Sequence, residues 1–143
     1  METKGGFLIS RIRQAGSRRF DLLLNQAGID AFNGAQGRIL YVLWQQDGVT
    51  ISRISSQTSL ANTTLTSMLD RMEAGGLIRR EKSPSDRRAQ LVFLTEAARA
   101  LREDYERISD QMNEIYYQGF DEAEIRQLEG YLTRILDNLE GGK

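Results

Sequence analysis

The chain has 143 residues, 40% hydrophobic and 27% charged, which describes one soluble globular domain, or one domain with an oligomerisation element. It has no cysteine and no histidine, which excludes disulfides, thiol chemistry and the commonest general base, and no metal or other cofactor is expected. The net charge of −1 is unevenly spread: residues 101–143 stand at −6 and the rest at +5, so an acidic pI does not exclude a nucleic-acid surface in the middle of the chain.

Taken in order, Met1 to Gly6 is expected to fray. Phe7 to Ala27 reads as a helix with an apolar stripe of Leu8, Ile12, Ala15, Phe20, Leu23, Leu24 and Ala27, and Arg11, Arg13, Arg18 and Arg19 make its first half basic. Gly28 ends it, and Asn33 is set to cap a second helix from Gly34 to about Gln46. Ile39, Leu40, Val42, Leu43 and Trp44 mark that helix as largely buried. After an Asp47-Gly48 turn, Thr50 caps a short helix with Ile51 and Ile54, and Thr58-Ser59-Leu60-Ala61 turns the chain into the next.

That next helix, Asn62 to Ala74, carries Leu65, Met68, Leu69 and Met72 at i, i+3, i+4 and i+7. Asn62 is its expected N-cap and Gly75-Gly76 its stop. With the stripe buried, Thr63, Thr64, Ser67 and Arg71 face outward, a small hydroxyl-rich face suited to a DNA groove. Leu77 to Lys82 and Gln90 to Leu94 can then pair as strands around Ser83-Pro84-Ser85-Asp86-Arg87-Arg88-Ala89. From Arg79 to Arg88 there are five cations and two anions. Alone, each half also reads as an ordinary amphipathic helix or a solvated hairpin. Together, after another short helix, they read as a helix-turn-helix with a wing: helix to base edges, arginine tip to phosphates or minor groove.

Thr95 should cap a helix running to about Gln118, with Ala98, Leu101, Tyr105, Ile108, Met112 and Ile115 alternating three and four. Asp121 and Glu124 form a capping box for a last helix with Ile125, Leu128, Leu132, Ile135, Leu136 and Leu139. The expected fold is mainly α with a small β-hairpin wing. Residues 33–95 form the winged helix-turn-helix lobe, while 1–32 and 96–143 form a helical dimerisation region. The outer helices need apolar cover, which a monomer folding its ends onto its own core or, as the favoured reading, a homodimer supplies; in the dimer two recognition helices would enter successive major grooves.

The run Leu69-Asp70-Arg71-Met72-Glu73-Ala74-Gly75-Gly76-Leu77-Ile78-Arg79-Arg80, continued by Asp86-Arg87-Arg88-Ala89 and Leu94-Thr95-Glu96-Ala97, resembles the MarR family of bacterial transcription regulators. The resemblance covers nearly the whole chain and is specific as a combined pattern. It implies a sequence-specific regulator of double-stranded DNA, a homodimer on a pseudo-palindromic operator, acting as a repressor. It places Thr63, Thr64 and Thr66 at hydroxyl positions that meet bases and phosphates, and Leu65 at a core position. It makes Asp86 the acid that orients Arg88 into the minor groove, leaves Arg87 for phosphate, and gives Asp70 and Arg71 structural roles at the wing or contacts to the DNA backbone. The expected DNA-binding set is Asn62, Thr63, Thr64, Thr66, Ser67, Arg71, Asp86, Arg87 and Arg88. Ser67 departs from the family, many of whose members carry arginine there, and serine gives up a bidentate guanine readout. The family also implies release by a small aromatic effector between lobe and dimerisation helices, where Phe32, Arg38, Tyr41, Trp44 and Tyr116 would line a site. Core packing is the competing account of Tyr41 and Trp44.

Two other classes compete. An enzyme would need carboxylates as its acids and bases, and no inward-facing pair is evident, so none is expected. A winged-helix scaffold for protein–protein contact without DNA readout would direct Arg71, Arg87 and Arg88 at an acidic partner. With no apolar run near the roughly 18 residues of a membrane span and no signal peptide, a cytoplasmic location is expected.

Overall fold

A computed structural model describes residues 1–141. The described residues divide into two compact units, Met1–Ser109 and the stretch from Asp110 onward. In the first, α1 (Gly5–Gln26) ends at Ala27, and Gly28 turns the chain with φ +73°. Helix α2 (Gly34–Gln45) starts from Asn33, whose side chain accepts the Gln36 N–H while Gln36 answers with its own side chain on the Asn33 N–H. Two orphan donors are satisfied at once, which fixes where α2 begins.

Strand β1 (Val49–Thr50) was not foreseen, being only two residues long. It pairs antiparallel with β3 (Gln90–Leu94), which pairs antiparallel with β2 (Ile78–Lys82), giving the order β1-β3-β2. The Asp47-Gly48 turn holds β1 in place. Asp47 Oδ1 accepts the Leu94 N–H at 2.8 Å, and its Oδ2 accepts from Arg99 at 2.7 Å. Gly48 sits at φ +69°, and a Cβ there would lie 2.7 Å from the Phe93 ring, so only glycine fits.

Thr50 then caps α3 (Ile51–Thr58), accepting the Arg53 N–H. Ser59, left-handed at φ 60°, turns the chain into α4 (Asn62–Ala74). The expected N-cap at Asn62 is corrected. The cap position is Ala61, which has no side-chain oxygen, and Asn62 is already the first helical residue. The Asn62 carbonyl instead accepts the Thr66 hydroxyl at 2.8 Å. At the other end Gly76, at φ +79°, supplies the left-handed turn, and the Leu77 N–H reaches the Met72 carbonyl at 2.9 Å.

The core gathers Ile39, Leu40 and Leu43 of α2, Ile54 of α3, Leu65, Leu69 and Met72 of α4, and Ile78 and Val92 of the sheet, all at most 2% exposed. Truncating any of the large ones to alanine should cost about 2–5 kcal/mol. Met68, the fourth member of the α4 stripe, is half-buried at its edge.

The long helix expected after Thr95 is broken. Thr95 caps α5 (Glu96–Arg99), and a separate α6 (Arg102–Tyr116) follows. The Ala98 carbonyl, which would accept the Arg102 N–H in a continuous helix, accepts the Trp44 indole at 3.1 Å and the Leu101 N–H at 3.2 Å. A side chain from another element has entered the ladder, and the helix breaks there. Helix α6 ends at Tyr116, short of Gln118, and crosses the boundary between the units.

In the second unit, Asp121 and Glu124 form the expected capping box of α7 (Glu122–Glu140). Tyr117 packs edge-on against Phe120 and donates its hydroxyl to Glu129 at 2.7 Å. No helix among the described residues is long and apolar enough to cross a membrane.

Candidate nucleic-acid interface

Helix α4 presents two faces that differ completely. Leu65 and Leu69 are 0% exposed, while Asn62, Thr63, Thr64, Thr66, Ser67 and Arg71 are all exposed. Since 3.6 residues make a turn, burial of the apolar stripe dictates the outward direction of the rest. Thr66 turns its hydroxyl back onto the helix backbone, and Arg71 donates to the Ser67 hydroxyl at 3.2 Å. Thr63, Thr64, Ser67 and Arg71 border a shallow concavity closed by Asn33 and Ala35 at the start of α2. Met68 adds an apolar side chain to a lining otherwise made of small and polar residues and one cation.

The wing hairpin places its charges by strand parity. Arg79 and Glu81 pair on one side, where the Arg79 guanidinium lies 4.6 Å from the centre of the Phe93 ring. Ile78 and Arg80 point the other way, toward α4. At the tip, the Asp86 carboxylate accepts the Arg88 N–H at 3.0 Å and lies 3.6 Å from Arg88 Nε. The Arg88 side chain is otherwise 93% exposed, a cation held at its base and free at its end. Arg87, Arg88 and Lys82 border a second shallow concavity that reaches Thr50 and Ser52 at the start of α3.

Arg80 is the residue the sequence reading missed. It donates to Asp70 at 2.7 Å and to Glu73 at 2.7 and 2.9 Å, and its own backbone N–H reaches the second Glu73 oxygen at 3.3 Å. The Arg80 hydrogen bonds hold the Glu73 carboxyl below its ordinary value, and the two acids raise Arg80 further. Its parity with Ile78 was the available signal, since a cation on the inner face of a strand requires acid partners. Asp70 thus ties α4 to the wing, while Arg71 turns to Ser67 instead.

The expected effector residues fall into different settings. Phe32 is core at 3% exposed, Trp44 is half-buried and committed to Ala98, and Tyr41 is 49% exposed. These three and Phe20 surround Tyr105, with ring centres 5.4–6.1 Å from its own. Burial raises the Tyr105 hydroxyl pKa, and a hydrogen bond with Ser109 and, more weakly, the nearby Arg38 charge partly offset the effect. Phe32 is accordingly a core residue first, and core packing accounts for Trp44. Tyr116, 45% exposed, belongs to the second unit.

Three short helices, a three-stranded antiparallel sheet and an arginine-tipped hairpin beside a polar helix face define a winged helix-turn-helix protein. The family model described as "MarR family" matches residues 32–89, the stretch that holds these parts. The organic hydroperoxide resistance transcriptional regulator of Bacillus subtilis (strain 168) is 33% identical over 103 residues, 72% of this chain and 68% of that protein. The HTH-type transcriptional regulator TtmR of Methylorubrum extorquens (strain PA1) is 39% identical over 64 residues, 45% of this chain, and the match spans only 33% of that relative's length. Among solved structures, a mutant MarR from E. coli complexed with operator DNA has a TM-score of 0.81 at 25% identity, with 92% of each chain covered. BpsR of Bordetella bronchiseptica, solved in a study of how 6-hydroxynicotinic acid regulates its DNA binding, gives the same TM-score, identity and coverage. The chain belongs to the MarR family of winged helix-turn-helix transcription regulators.

Proposed function

We propose that this chain is a sequence-reading repressor that grips double-stranded DNA as a homodimer. The observation that carries the reading is the pairing of an outward hydroxyl face on α4 with the Asp86-oriented, exposed Arg88 on one unit. In this reading Thr63, Thr64 and Ser67 meet base edges, Asn62, Thr66 and Arg71 meet the adjoining backbone, Arg87 meets phosphate, and Arg88 enters the minor groove. Residues 33–95 are the DNA-binding lobe, and 1–32 with 96–143 the dimerisation region. Support for the dimer comes from apolar surface. Phe7, Leu8 and Ile12 on α1 are 48–66% exposed, and Leu132, Leu136 and Leu139 on α7 are 43–78% exposed. Such surface needs a partner, and a second copy supplies it.

An aromatic effector completes the reading. Regulation of BpsR DNA binding by 6-hydroxynicotinic acid supports it, as does the aromatic cluster around Tyr105 with Tyr41 at its open side. Arg38 supplies a cation for an aromatic carboxylate in this reading. Trp44 is the chain's only tryptophan, so its fluorescence reports occupancy directly. If a titration with aromatic carboxylates quenches Trp44 yet never weakens DNA binding, the effector part is wrong.

The test of the reading is selection from a random duplex pool, followed by salt-titrated binding of wild type and Arg88→Ala. The wild type should enrich a pseudo-palindrome and bind it at physiological salt, and Arg88→Ala should lose most of that affinity. No enrichment, with both proteins binding weakly and only at low salt, would reject a DNA-reading function.

A further inference from the structure

We propose that Arg80 is the positioning residue that fixes the recognition helix α4 against the wing, so that helix face and Arg88 meet one duplex as a single grip. This role rests on the DNA reading above and concerns a residue that itself stays off the DNA. Arg79 and Arg88 are 54% and 93% exposed, whereas the Arg80 side chain is 17% exposed and turned toward α4.

The geometry gives the clamp two points of hold. Asp70 and Glu73 stand three residues apart, hence on one side of α4 and about one turn apart along it. One Arg80 nitrogen, Nη2, reaches both, at 2.7 Å each, and Nε adds a second bond to Glu73 at 2.9 Å. The other Glu73 oxygen takes the Arg80 backbone N–H, so strand β2 itself is tied to the helix along with the side chain. A single contact would let α4 roll about its axis. Contacts a turn apart, with the planar guanidinium between them, resist rolling. Roll is the coordinate that matters, because at 100° per residue Ser67 lies roughly a quarter turn from the acid pair and moves with it.

The electrostatics point the same way. Asp70 and Glu73 flank a face meant to approach phosphates, and unneutralised they would repel them. The guanidinium offsets one of these two negative charges while leaving Arg71, Arg87 and Arg88 outward.

The absence of native cysteine allows a clean test of position. Spin labels at Thr63→Cys and Ser85→Cys report the distance from helix face to wing tip. With Arg80 present the distribution should be narrow. Arg80→Met, which keeps the aliphatic stem without the donors, should broaden or shift it. Arg80→Lys should fall short of full rescue, because a point charge cannot span both acids. On the duplex selected by the wild type, Arg80→Met should bind roughly 10–100-fold more weakly while random duplex changes less than about 3-fold, so that the specificity ratio falls. Arg80→Lys should recover only part of the ratio, and the salt slope should stay nearly constant across the variants, because Arg80 contacts no phosphate. A folded Arg80→Met with wild-type distances and an unchanged ratio would overturn the inference and leave the DNA reading intact. A wild type that selects no duplex would overturn both. If Arg80→Met cannot be purified, Asp70→Asn with Glu73→Gln opens the same clamp from the helix side, with the same expected broadening.

Discussion

At the residue scale, the wing tip separates two kinds of arginine. Arg88 is held by Asp86 through its N–H at 3.0 Å and by the approach of Nε at 3.6 Å, while its guanidinium end is left to solvent. Arg87→Ala should weaken binding evenly across sequences and reduce the slope of log affinity against log salt by about one. Asp86→Ala should instead lower affinity while leaving the slope nearly unchanged or slightly steeper, because it removes orientation rather than a cation. Comparing the two slopes by fluorescence anisotropy checks both statements. Within the core, a Cβ on Gly37 would lie 2.7 Å from the Tyr105 ring, so Gly37→Ala should destabilise by about 1–3 kcal/mol in thermal unfolding. The Arg80 clamp also gives a pH signature. Glu73 sits below its ordinary value of 4.5, so its contribution is present above that pH and fades as the pH falls through the lower folded value. Arg87 and Arg88 were legible in the sequence because an exposed tip needs only composition and turn residues to be recognised, whereas the Asp86–Arg88 pair came from the family resemblance. The Gly37–Tyr105 approach was not, since nothing local links residues so far apart in the chain.

At the element scale, α4 was legible to within one residue at its start and to the residue at its end, Ala74, because its apolar stripe and glycine stop both act locally. Its cap was misread, because an asparagine beside a helix start satisfies the same pattern from either side of the boundary. The cap position, Ala61, has extended backbone angles and no side-chain oxygen, so Ala61→Ser should stabilise the protein by about 1 kcal/mol. Chemical denaturation with an unchanged m-value would establish that the gain is in folding. The α5–α6 break escaped the sequence reading for the opposite reason, since its cause lies on α2. Trp44→Phe removes the indole donor from the Ala98 carbonyl at 3.1 Å. The Arg102 N–H can then take that carbonyl, and its hydrogen exchange should slow if the break is made by Trp44. Unchanged exchange would place the cause elsewhere. Strand β1 was hidden because two residues carry no period.

At the scale of the whole molecule, charge and apolar surface are sorted along the chain. The basic excess lies before residue 101 and the acidic excess after it, and large apolar side chains stay exposed on α1 and α7. Both were legible in the sequence, since they follow from counting charges and marking stripes. What covers these faces was not, because sequence periodicity says that a face needs cover without saying by what or at what angle. If the α7 face closes a dimer, Leu136→Glu should sediment as a single chain where the wild type sediments as two, and bind the selected duplex far more weakly. Hydroxyl-radical footprinting of that duplex tests the central claim most directly, because it reads both lobes at once. We expect two protected patches centred about 10–10.5 base pairs apart or a multiple of that, with flanking minor-groove protection that disappears in Arg88→Ala. A single patch, or flanking protection that survives the loss of Arg88, would contradict a two-fold grip by helix and wing.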